Sequence, residues 1–111
     1  MLGVKDKGIL LQIIKRCNRV VEKVSNISET DFSLNDDIKE VVCFNLFQIG
    51  ELANGLSVEF IKEYNKIPWK QIIGMRNRIV HGYDTINVEI VWNTAIESIP
   101  ELKEYCKEIL N

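Results

Sequence analysis

Apolar residues recur at helical spacing along most of the chain. Leu10, Ile13, Ile14, Cys17, Val20, Val21 and Val24 form one stripe and predict a helix over about residues 5–25. The polar stretch 26–35 reads as a connection carrying helix-capping residues, among them Ser33 and Asn35. A second helix is expected over about 36–54, with a main stripe of Ile38, Val42, Leu46, Ile49, Leu52 and Ala53 and with Asn45 in its middle. Its far side is not polar, because Cys43, Phe44 and Phe47 lie there, joined by Glu51. A helix apolar nearly all round must be covered on two sides, and the second cover suggests another copy of the chain. A short amphipathic helix is expected over about 57–64, and Pro68 suits the first position of the next helix. Gly82 suits the residue just past that helix. Asn87 can cap a last helix over about 88–110, with stripe residues Val88, Val91, Trp92, Ala95, Ile96, Ile99, Leu102, Cys106 and Ile109. Pro100 should interrupt and kink it. The fold class expected is all-α, an up-and-down bundle of four to five helices in one domain spanning residues 1–111.

One residue breaks the pattern. At about 100° per residue, Trp69, Ile72, Ile73, Ile79 and Val80 share an apolar stripe, and Arg76 falls near its middle. A guanidinium keeps its proton, and leaving it buried and unpaired costs several kcal/mol. Either a carboxylate meets it, or that face lines a cleft where the charge does chemistry.

Composition narrows the field. The 111 residues carry 14 basic and 16 acidic side chains, a formal net charge of −2. Proteins that coat long nucleic acids usually have a clear basic excess, so broad sequence-independent binding is not expected. Lys62, Lys66, Lys70 and Arg78 offer a local basic patch near Arg76. Three widely spaced cysteines, Cys17, Cys43 and Cys106, sit in apolar settings, which points to reduced core thiols and not to a metal site. No apolar run reaches the roughly 20 residues that span a bilayer, and the first residues lack the layout of a signal peptide, so a cytoplasmic protein is expected.

The dense chemistry lies in Arg76-Asn77-Arg78-Ile79-Val80-His81-Gly82-Tyr83. Five positions on a regular helix turn through about 140°, so Arg76 and His81 flank a groove without needing to touch. Arginine grips phosphate in a bidentate fashion, and histidine transfers protons near neutral pH. Together they are the parts for RNA cleavage without a metal or other cofactor: imidazole takes the proton of a 2′-OH, and guanidinium stabilises charge building on phosphorus. The chain has no second histidine to protonate the leaving oxygen. A two-fold dimer with the motif near its axis would supply one. The plainer readings are a structural Arg76–Glu51 pair, His81 as a helix-end or surface residue, Tyr83 as a packed aromatic and Asn77 as a cap. Trp69 and Trp92 then belong to the core, and the lysines to the solvated surface.

A longer string carries more. Gln48-Ile49-Gly50-Glu51-Leu52-Ala53, Ile67-Pro68-Trp69, Gly74-Met75 running into the motif above, Val91-Trp92 and Ile99-Pro100-Glu101-Leu102 together resemble the HepT-like branch of the HEPN superfamily in order and spacing. The resemblance implies a homodimeric HEPN bundle acting as a metal-independent endoribonuclease toxin of a type VII-like toxin–antitoxin module. It implies catalytic roles for Arg76 and His81, with Asn77 as a polar supporter; Glu51 joins them as the carboxylate that would hold Arg76. Tyr83 would be the hydroxyl that a partner nucleotidyltransferase of the MntA kind modifies with AMP. A bulky anion two residues from His81 would block an RNA cleft. The substrate would be mRNA or tRNA. The alternative is a non-catalytic helical partner of a minimal nucleotidyltransferase, presenting Tyr83 or a bound nucleotide. A third reading is a dimeric bundle in which Arg76–Glu51 only fixes packing.

Overall fold

The computed structural model describes residues 2–82 and 86–111. The long stripe near the N-terminus forms α1, Val4–Val24, and hides Leu10, Ile13, Cys17 and Val20 completely. Asp6 in its first turn is also buried, because its carboxylate accepts from the Ser57 N–H at 2.9 Å and the Ser57 hydroxyl at 2.6 Å. A buried carboxylate needs such donors. Ser57 in turn caps a later helix, so one polar pair ties two helix starts together.

The polar connection is not merely a loop. It contains α2, Glu29–Leu34, opened by a reciprocal capping box: Ser28 Oγ accepts from the Asp31 N–H at 3.1 Å and Asp31 accepts from the Ser28 N–H at 3.2 Å. This helix carries Phe32 into full burial against Trp92, with ring centroids 5.3 Å apart. Ser33 caps no helix; its hydroxyl donates back to the Thr30 carbonyl. Asn35 does cap, accepting from the Ile38 N–H at 3.0 Å, and starts α3, Asp36–Asn54.

α3 is the central helix, packed against α1 on one flank and against the helix that carries Arg76 on another. Asn45 is buried within it and satisfied twice, by the Val41 carbonyl and by Arg16. Its far face is divided: Cys43 is buried, Phe47 is half-buried and Phe44 is exposed. The Arg16 guanidinium lies over the Phe44 ring, 5.6 Å from its centroid, and gives that ring part of its cover.

Two helices follow, α4, Val58–Glu63, and α5, Trp69–Val80. Trp69 anchors the link between them by donating from Nε1 to the Tyr64 carbonyl at 3.0 Å and packing near Phe60. Pro68 sits just before α5 as its cap residue and not inside its first turn. Val80, expected on the buried stripe, is exposed, although its neighbour Ile79 packs against the core.

Asn87 caps α6, Val88–Asn93, accepting from the Glu89 N–H at 2.8 Å. A five-residue π-helical turn, Thr94–Ser98, then joins it to α7, Ile99–Leu110. The expected break at Pro100 therefore spreads back over the preceding turn. Proline has no N–H for the carbonyl four residues earlier and its ring crowds that carbonyl, so the helix widens and the Ile99 N–H reaches Thr94 O instead. Widening also turns Ile96 outward, although it was expected in the stripe. The architecture is all-helical among the described residues, as expected, with more segments than anticipated because of α2 and the π-turn. No described helix is long and apolar enough to cross a membrane.

Candidate active site at the end of α5

Arg76 owes its place to a glycine. Gly50 on α3 lies directly beneath it: a Cβ at Gly50 would overlap Arg76 Cβ and come within 3.2 Å of Arg76 Cγ and of the Ile72 carbonyl oxygen. The hydrogen side chain lets α5 settle onto α3 at that point. The next residue on α3, Glu51, then accepts a charge-assisted hydrogen bond from Arg76 Nε. Arg76 Nη1 donates to Asn77 Oδ1 at 2.7 Å. Neither contact uses Nη2.

The pair is not deeply buried. The Arg76 side chain is 29% exposed and that of Glu51 41% exposed. A pair this open to water contributes about 1 kcal/mol or less, well below the several kcal/mol of a sealed ion pair. Arg76 therefore lies at the border of the apolar stripe, with its stem packed on Gly50 and its head facing water. Holding it in place is the main effect of Glu51 and Asn77.

α5 ends at Val80. The His81 N–H donates to the Asn77 carbonyl at 3.3 Å and the Gly82 N–H to the Ile79 carbonyl at 3.1 Å. Gly82 has φ 131°, a left-handed backbone that suits glycine, as expected of the residue past a helix end. The exposed His81 borders a shallow groove of about 430 Å³ whose other walls are Asn77, Arg78, Ile86, Asn87 and Ile90.

The structure thus joins Arg76, Glu51 and Asn77 directly. Asn77 connects the two candidate groups: its side chain meets Arg76, its main chain meets His81, and it lines the His81 groove. Arg76 does not line that groove, and among the described residues no hydrogen bond joins it to His81. Tyr83 lies outside the described residues. Lys62, Lys66, Lys70 and Arg78 are all exposed, and only Arg78 borders the groove. Among the described residues, no group of His, Cys, Asp and Glu side chains is arranged to hold a metal ion. The three cysteines are free and buried, and burial pushes the thiols of Cys17 and Cys106 up to about 12 and that of Cys43 up to about 11. They are inert core residues, as expected.

The profile of the ribonuclease HepT-like family matches residues 10–109, and the chain belongs to that family. It is 38% identical to a protein of Caldanaerobacter subterraneus provisionally named an RNase, over 91% of this chain and 90% of that one. It is 30% identical to a Methanocaldococcus jannaschii protein likewise provisionally named, over 88% and 90% of the two chains. A Thermococcus cleftensis protein provisionally named ribonuclease HepT is 29% identical over 87% of this chain and 88% of its own. No solved structure matches the chain.

Proposed function

We propose that the whole chain is one HEPN-like domain acting as a metal-independent endoribonuclease toxin, with Arg76 and His81 as its catalytic pair. The observation that carries this reading is the treatment of Arg76: two neighbours fix a half-exposed guanidinium where it adds little stability, one helical turn from an exposed imidazole at a groove. His81 takes the proton of a ribose 2′-OH, and that oxygen attacks the adjacent phosphorus. Arg76 stabilises the extra negative charge on the phosphoryl oxygens as the 5′-oxygen bond breaks. The leaving oxygen needs a proton, and one chain offers a single histidine. A homodimer with α5 near its axis supplies the second imidazole and brings Arg76 of one copy to the His81 groove of the other. The exposed Phe44, Val80 and Ile90 provide apolar surface for such a contact.

The module reading follows from the same site. Tyr83 is two residues from His81 in sequence, and AMP placed there by an MntA-like nucleotidyltransferase would add a bulky anion that repels RNA phosphate. The RNA would be mRNA or tRNA. The net charge of −2 favours one competing reading, a non-catalytic partner subunit of that nucleotidyltransferase.

Cleavage of purified RNA in excess chelator tests both. The wild-type chain should cut, and His81→Ala and Arg76→Ala should each lose about 10³-fold or more in rate while keeping the wild-type fold and oligomeric state. Cleavage by His81→Ala at the wild-type rate overturns the catalytic assignment. A wild-type chain that stays unmodified, binds the co-expressed nucleotidyltransferase tightly and never cuts RNA establishes the partner-subunit reading instead, whereas a mass gain in AMP units that is lost in Tyr83→Phe supports modification of the toxin.

A further inference from the structure

The geometry points to Gly50 as a positioning residue for the ribonuclease reaction: its missing side chain sets how closely α5 approaches α3, and so where the Arg76 guanidinium stands. The activity part of this inference rests on the ribonuclease reading above. Gly50 is buried inside a long helix, four residues before its last residue, where glycine is a poor helix former. It needs no special backbone there, for it does not have a positive φ. Its use is space. The atom that a Cβ would strike first is Arg76 Cβ, with Arg76 Cγ and the Ile72 carbonyl next. None of these is the far end of a flexible side chain, so relief requires α5 itself to move, on the order of 1 Å. Glu51, the neighbour of Gly50, holds Arg76 Nε from the same helix. The seat and the clamp are thus consecutive residues, and moving α5 off the seat pulls the guanidinium away from the clamp. Gly3, Gly8 and Gly74 have open space around them and Gly55 meets only ordinary or slightly tight neighbours, so among these five glycines the close approach is particular to Gly50.

The test is Gly50→Ala, assayed by single-turnover RNA cleavage and by the NMR signal of the Arg76 Nε–H. The expected result is a fall in the maximal rate of about 10²-fold, with RNA affinity changed only a few-fold, since a misplacement near 1 Å acts mainly on the transition state. The Arg76 Nε–H signal should shift and exchange faster with water as its bond to Glu51 is lost. In an Arg76→Gly background, which lacks both the guanidinium and the Cβ that the added methyl would meet, Gly50→Ala should cost little further in residual cleavage. An equal loss in both backgrounds, or an unmoved Nε–H signal, overturns the positioning role. If Arg76→Ala alone cleaves like wild type, the catalytic assignment of Arg76 fails, and the Nε–H signal still decides whether Gly50 seats Arg76. Should Gly50→Ala not fold, Gly50→Ala combined with Arg76→Gly removes the opposing Cβ and should restore folding; failure to restore it overturns the contact on which the inference depends.

Discussion

Helices α1 and α5 both lie against α3, and they use that contact differently. α1 buries Leu10, Ile13, Cys17 and Val20 to 0% exposure. α5 buries only Trp69 at its start, leaving Ile72, Ile73 and Ile79 half-covered and Val80 open. At Gly50, α5 meets α3 through the stem of an arginine seated on a glycine. One helix is therefore held by hydrophobic burial along its length, which is non-directional and cumulative. The other is anchored at its first residue and aligned further on by polar contacts, which are directional and individually weak. The division suits a bundle that must be stable in one part and present charged groups to a polymer in another.

The comparison is broken most severely by emptying the core half. Phe32 is fully buried against Trp92. Phe32→Ala should cost about 3–5 kcal/mol by urea denaturation, enough to leave a domain of this size barely folded. Its cleavage rate per folded molecule should be unchanged, because the ring partner of Phe32 is Trp92 of α6 and not a residue of α5. A small stability loss with a large loss of rate would mean that the two regions are not separable.

Native-state hydrogen exchange gives a smaller and more local contrast. Amides of α1 between Ile13 and Val20 should exchange only through global unfolding. Amides of α5 after Ile73 should open with a free energy lower by about 2 kcal/mol or more, because few apolar contacts must break to release them. Equal protection along both helices would show that α5 is as firmly packed as α1, and the polar contacts of Arg76 would then carry more than their exposure implies.

The same division explains what could be read in the sequence. α1 and α3 were legible almost to the residue, since a continuous apolar stripe has one helical solution. α2 was not, because Phe32 and Leu34, its two apolar residues, are too few to show a helical period; the Ser28 and Asp31 spacing was the available signal. Val80 misled because periodicity tells where an apolar face points and not whether anything covers it. At the site, Arg76, Asn77, His81 and the carboxylate of Glu51 all stood out as polar groups in unlikely company. Gly50 could not, because a missing side chain leaves no chemical mark and the atoms it makes room for belong to a helix 26 positions later in sequence. The π-turn was foreshadowed only by Pro100, which announces an interruption without saying how the backbone absorbs it.

Alkaline pH probes the core half alone. All three thiols are buried in the core and none lies on α5. Burial disfavours the thiolate and raises the ionisation of Cys17 and Cys106 from 9.0 to about 12, and of Cys43 from 9.0 to about 11 with nearby Lys39 partly opposing. A group whose folded value is raised holds its proton more tightly in the folded state. Its contribution is fully present below pH 9 and is lost as pH climbs toward the folded value, because the unfolded chain sheds the proton first. Each thiol should remove up to about 1.4 kcal/mol per pH unit across that window. The urea midpoint should therefore fall between pH 9 and 10.5. The Cys17→Ala/Cys106→Ala variant should start less stable at pH 8 yet lose less over the same interval, with lysine titration common to both proteins. Parallel pH profiles for the two proteins would mean that the thiols reach water in the folded state, and that the half of the molecule taken here as sealed is open.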